Sequence, residues 1–196
     1  MLILFIILFI TLLILWFITT DAPLFNLQKT TASSPTTTPT STPTPKTIEQ
    51  IPTQDMELIN TINNYRKSIN LNPIPVSNDA WKVSSTHIDD LVTNKPGCSP
   101  HSWSDQPGKW TGCCYDVSKP NGPCMWSKPK EITGNSSRGY EISGGGVRNS
   151  DGALKMWLNS ELHKNVIENK GMWTNMKWTG LGCSLKNNYT CCWFLD

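Results

Sequence analysis

The first 20 positions of this 196-residue sequence carry no charged side chain, and the whole chain has only three histidines. Elsewhere the patterns that mark many enzymes are missing. There is no nucleophile elbow and no H-E-x-x-H helix, which argues against a serine hydrolase of the strand-turn-helix type and a zincin-type protease. No two cysteines have C-x-x-C spacing, which argues against a structural zinc site or a thioredoxin-like redox motif. Basic residues number 17 against 15 acidic ones, without a basic cluster, so nucleic acid is excluded as a partner.

What the first 20 residues do have is hydrocarbon. Of positions 1–18, only Thr11 is polar. A helix of 20 residues rises about 30 Å, the depth of a bilayer core, and pairs its backbone polar groups internally. Residues 1–20 therefore read as a transmembrane signal-anchor helix. The competing reading is a cleaved signal peptide and a secreted product, but no basic residue precedes the apolar run. Residues 21–52 read as a disordered stalk. Between Thr30 and Thr47 stand nine Thr, three Ser and four Pro, a composition with no apolar face to bury and suited to a semi-rigid or O-glycosylated spacer. Residues 53–196 are left as one folded domain, too short for two.

All seven cysteines lie in that domain, as expected of a disulfide-bonded chain delivered outside the cytosol. The adjacent pairs Cys113–Cys114 and Cys191–Cys192 point alternately in extended structure and need different partners. Seven is odd, so at least one thiol is free or bonded to another chain. Asn135-Ser-Ser and Asn188-Tyr-Thr are glycosylation sequons.

Apolar spacing predicts a first helix capped by Thr53, with Leu58, Ile62, Tyr65 and Ile69 on one face, and a second helix starting at Ser77 or Asn78. Residues 98–129, rich in Gly, Pro, Cys and Trp, read as an irregular, disulfide-pinned insertion. A strand over Arg138–Ser143, a third helix capped by Ser150 or Asp151, and a closing hairpin around residues 186–188 complete the domain. In that hairpin Cys183 falls opposite or near Cys191 or Cys192, and its disulfide partner is expected in the closing strand or in the Cys98–Cys124 insertion. The class is α+β, with helices on a small antiparallel sheet.

His101, His163 and Glu141 are the candidate functional residues, Glu141 in a strand-like segment that suits a cleft-facing carboxylate, whereas His87 sits among apolar neighbours on the second helix and reads as core. Several segments together resemble the CAP superfamily of cysteine-rich secretory, antigen-five and pathogenesis-related proteins. They are Asn63-Asn64-Tyr65-Arg66, the linker Asn72-Pro73-Ile74-Pro75-Val76, His101-Ser102, Gly139-Tyr140-Glu141-Ile142, Trp157-Leu158-Asn159-Ser160 with His163, and Trp178-Thr179-Gly180-Leu181-Gly182 with Trp193-Phe194. The likeness spans Met56 to Phe194. It implies a three-layer α–β–α sandwich of SCP-like type whose cleft holds two His and two acids, with His101, His163 and Glu141 as three of them. Ser160 stands where the second Glu commonly lies, with Glu161 and Glu131 as the remaining acidic candidates.

The resemblance implies a binding module for a lipid, sterol or protein ligand, with zinc or another divalent cation able to sit on His101 and His163. The alternative is a protease-like hydrolase using Ser160 or Ser102 with His163 or His101 and Glu141.

Overall fold

The computed structural model describes residues 50–116, 118 and 122–196. The anchor expected over 1–20 and nearly all of the stalk expected over 21–52 lie outside the described residues. Among the described residues no helix is long and apolar enough to cross a membrane.

The first element is α1, Thr53–Ser68. Its N-cap is Pro52 rather than Thr53, and no side chain caps it, since a proline ring carries no hydrogen-bonding group. Leu58, Ile59 and Ile62 are fully buried at helical spacing. Asn63 and Arg66 of the same helix hold the chain that follows. Asn63 pairs with both backbone groups of Ile74 at 2.8 and 2.9 Å, and Arg66 Nε donates to the Asn72 carbonyl at 3.0 Å. The N-x-x-R signature is thus a clamp on the linker. It delivers Pro75 and Val76 to a parallel bridge with Leu181.

Helix α2, Asn78–Thr93, is capped by Ser77, whose hydroxyl accepts from the Ala80 amide. The insertion is pinned by Cys98–Cys114 and Cys113–Cys124, so the adjacent cysteines do take separate partners. It also holds two short helices that were not expected, α3 (Gly122–Trp126) and α4 (Lys128–Thr133). Strand β1 spans Gly139–Gly145 and α5 spans Ser150–Leu158. The cap of α5 is Asn149, one residue before the expected Ser150, because its side-chain oxygen reaches the Gly152 amide. Beyond α5 the chain does not simply run on: Glu161–Glu168 forms a separate helix, α6, which carries His163. A short 3-10 turn, Gly171–Trp173, precedes β2 (Gly180–Lys186) and β3 (Tyr189–Leu195).

The sheet is antiparallel with order β1-β3-β2, so β1 is an edge. Its closing hairpin turns through Asn187 and Asn188, both at positive φ, the geometry that two-residue hairpins prefer. The register sets Glu141 and Gly182 against Trp193, and both Ile142 and Cys183 against Cys192. Cys183 is bonded to Cys192 and Cys191 is free and buried.

Alternation then assigns the layers. Ile142, Leu181, Cys192 and Phe194 pack with α1, α5 and α6 through Ile62, Trp157 and Ile167. Cys191, Trp193 and Leu195 pack with α2 and the insertion through Ala80, Val83, Trp103 and Met125. Helices lie on both sides of a small sheet. Gly182 allows this spacing, since a Cβ there would fall 1.9 Å from the Trp81 backbone nitrogen.

Candidate functional site

Glu141 is the centre of the site. Its strand parity turns it toward α2, where its side chain is fully buried. One carboxylate oxygen, Oε2, accepts from His101 Nδ1 at 2.7 Å. The other, Oε1, meets His87 Nδ1 and lies 3.0 Å from Cys191 Sγ, which donates to it. Burial alone would raise the Glu141 carboxyl, but the imidazoles of His87 and His101 outweigh it and hold the group well below the usual carboxylate range.

The insertion places His101. Ser99 and Ser102 anchor the loop to Tyr115: Ser99 Oγ donates to the Tyr115 carbonyl at 2.6 Å, and the Tyr115 amide donates to Ser102 Oγ at 3.0 Å. With Nδ1 committed to Glu141, His101 keeps Nε2 for another partner. His163, carried by α6, brings its ring centroid to 5.9 Å from that of His101. The two histidines differ electrostatically. Burial pulls His101 down, yet the Glu141 carboxylate more than offsets it and the value is raised. His163 is lowered, by burial first and then by the charge on His101.

The three expected residues therefore come together, and all of them line a cleft of about 550 Å³ against the free edge of β1. Glu141 is the one carboxylate among the described residues lining it. Glu131 is engaged elsewhere, with Lys128, Ser127 and the Thr111 amide. Glu161 does not line the cleft either, whereas Asn165 is among its polar lining groups. Ser160 is the N-cap residue of α6 without a side-chain capping bond, and it makes no hydrogen bond to His163. Glu141 is bonded to His101 and His87 rather than to His163. Ser102 is 1 % exposed and spends its hydroxyl on backbone groups. Among the described residues no serine is joined with His163 and Glu141 as a triad. Of the sequon residues, Asn188 is exposed in the hairpin turn, while Asn135 donates through Nδ2 to Asp79 at 2.8 Å.

As a metal centre the cleft pair offers two imidazole donors. Both Glu141 oxygens are already engaged, so neither is open to an ion on His101 and His163.

Sequence reasoning missed His87, Cys191 and the apolar wall. His87 lies flat on Trp103, with centroids 4.3 Å apart, and its Nε2 faces the Ser102 carbonyl at 3.1 Å. Its signal was present: His87 follows Ser84 by one helical turn, on the buried face. Trp126, Met172 and Trp173 come from segments without periodicity and gave no such signal.

A model of the cysteine-rich secretory protein (CAP) family matches residues 59–194. No curated protein sequence matches the chain. Among solved structures, an extracellular protein containing an SCP domain from Bacillus anthracis is 18% identical with a TM-score of 0.52, covering 73% of this chain and 40% of its own. An outer surface protein of Borrelia burgdorferi is 19% identical with a TM-score of 0.50, covering 74% of this chain and 93% of its own. A cysteine-rich secretory protein from Staphylococcus aureus is 17% identical with a TM-score of 0.48, covering 76% and 40%. At these identities the likeness concerns the fold.

Proposed function

The chain belongs to the cysteine-rich secretory protein (CAP) family, and from that premise we propose that it is an extracytosolic binding module whose cleft takes an amphipathic lipid or sterol, with the polar end against His101 and His163. One observation carries this reading. Large apolar side chains are exposed at five described positions, and three of them, Trp126, Leu162 and Met172, line this one cleft. Leu162 is 66% exposed and Met172 85%, on the same wall as the half-buried Trp173. Apolar groups gathered around a concavity mark a place where an apolar partner is expected. With Nδ1 of His101 held by Glu141, its Nε2 and the His163 ring are left to pair with a hydroxyl or carboxylate headgroup. A divalent cation such as zinc would take its two protein donors from His101 Nε2 and His163 and the rest from the ligand, making binding metal-dependent.

The three disulfides fit an oxidising compartment. Residues 1–20 then anchor the chain in a membrane and 21–52 hold the domain off its surface. Protease treatment of sealed vesicles tests the topology: digestion of the domain from the cytosolic side overturns it. The ligand reading is tested by titrating the full chain with a fluorescent sterol and a fluorescent fatty acid. Leu162→Asp and Met172→Asp, both at exposed positions, should weaken binding by about tenfold or more, because a charge replaces apolar contact. Equal binding by wild type and both variants overturns it.

A further inference from the structure

Behind Glu141, away from the cleft, three potential ligand atoms converge: His87 Nδ1, Glu141 Oε1 and Cys191 Sγ all lie within 4.8 Å of one another, and all three residues are buried. We propose that His87, Glu141 and Cys191 form an inner binding site for a soft to borderline divalent cation of the zinc class, separate from the cleft pair His101 and His163.

The hydrogen bonds around the three residues already suit ligation. A carbonyl only accepts, so His87 Nε2 must carry a proton for Ser102, and the lone pair of a neutral ring then lies on Nδ1, aimed at Glu141. An imidazole whose outer N–H is held by a backbone carbonyl is the usual arrangement behind a metal-bound histidine. Glu141 is held likewise, since His101 fixes Oε2 and leaves Oε1 to point inward. Two of the three ligands thus have their second contacts in place.

Charge also balances in this pocket closed to water. Without a metal, a neutral pocket needs the carboxylate, one proton shared between His87 and Glu141, and the Cys191 thiol. With a divalent ion, the carboxylate and thiolate supply two negative charges and His87 is neutral, so the total is again zero. One cation replaces two protons, the thiol's and the shared one, and both leave to solvent. Cys191 is fully buried and its Sγ donates to Glu141 Oε1 at 3.0 Å, so an ion must displace that proton.

The geometry asks for little movement. Donors on one tetrahedral ion stand about 3.2–3.7 Å apart. Sγ to Nδ1 is 3.7 Å and Sγ to Oε1 is 3.0 Å, so parting the His87–Glu141 contact admits the ion. Three protein ligands leave a fourth position for water. The site also accounts for the one cysteine of seven that takes no disulfide.

Cobalt(II) tests this directly, because a thiolate on cobalt gives a near-ultraviolet charge-transfer absorption that imidazoles and carboxylates do not. The full chain, disulfides intact, is refolded with cobalt to overcome slow entry. The absorption should appear, persist in His163→Ala and vanish in Cys191→Ser. Calorimetry of the wild type in buffers of different ionisation heat should give release of about two protons per ion. A refolded chain with its thiol intact but no thiolate–cobalt absorption overturns the site and leaves a proton-sharing cluster. Absorption that survives Cys191→Ser, or that is lost in His163→Ala, overturns it too. None of these outcomes bears on sterol or fatty-acid binding by the cleft, which is measured by other means.

Discussion

The two faces of the three-stranded sheet are built from neighbouring residues of the same strands, yet they do different work. Toward α1, α5 and α6, β1 and β3 present Ile142, Cys192 and Phe194, all fully buried among Trp157, Ile62 and Leu181. That face is limited by shape, and its cysteines are closed as Cys183–Cys192. Toward α2 and the insertion, the next residues are Glu141, Ser143, Cys191 and Trp193, joined by His87. That face is limited by bonding, because each polar group there must find a partner or bear the cost of desolvation. A two-residue period is enough to separate a stabilising face from a chemical one.

Four measurements test this contrast. The largest effect is expected on the apolar face, where Phe194→Ala should lower unfolding free energy by about 4 kcal/mol in chemical denaturation, through lost transfer energy and a cavity. On the other face, Glu141→Leu alone should cost about 3 kcal/mol, since it strands a buried His87. Adding His87→Phe should recover part of that loss, because removing a buried pair whole is cheaper than breaking it. A double variant less stable than the sum of its singles would show that the pair holds the fold together and erase the distinction. Replacing Cys183 and Cys192 together by alanine should cost about 2.7 kcal/mol by loop-closure entropy, and should leave the His101–Glu141 contact intact by histidine NMR.

The smallest effect is a titration difference between the two cleft histidines. His163 should titrate below the ordinary imidazole value of about 6.5 and His101 above it. The linked stabilities have opposite signs. The His101 contribution is complete below about pH 6.5 and is lost as pH rises through its raised value. The His163 contribution is present above about pH 6.5 and is lost as pH falls through its lowered value. Glu141 behaves like His163 but in the acid range, its contribution being complete above about pH 4.3 and lost on strong acidification. Coincident midpoints for His101 and His163 in NMR titrations would mean that Glu141 does not tell the two rings apart.

Much of this arrangement was legible before any coordinates. Helical spacing in α1 and α2, alternation in the closing strands and the turn residues Asn187-Asn188 are local signals, and they place the elements to within a few residues, while the partner of Cys183 stayed open between the closing strand and the insertion. The cleft residues His101, Glu141 and His163 were legible because they sit in short segments whose residue order is itself informative. The caps were less so. Thr53 gave way to Pro52, where no side chain caps the helix, and Ser150 to Asn149, since adjacent polar residues are each able to satisfy the same free amides.

His87 shows why the remainder was hidden. On α2 it is a single imidazole on an apolar face, and nothing local distinguishes a core histidine from a partner of Glu141, 54 positions away. Cys191 and Cys192 are alike in sequence, and either was able to meet Cys183. Residue order alone implies that adjacent cysteines point apart, that at least one thiol of seven is unpaired within the chain, and that Glu141 and Ser143 share a face of the strand. Those follow from backbone periodicity and parity. Only the tertiary structure decided which cysteine is free and that it meets His87, because strand register and helix packing depend on contacts between residues far apart in the chain.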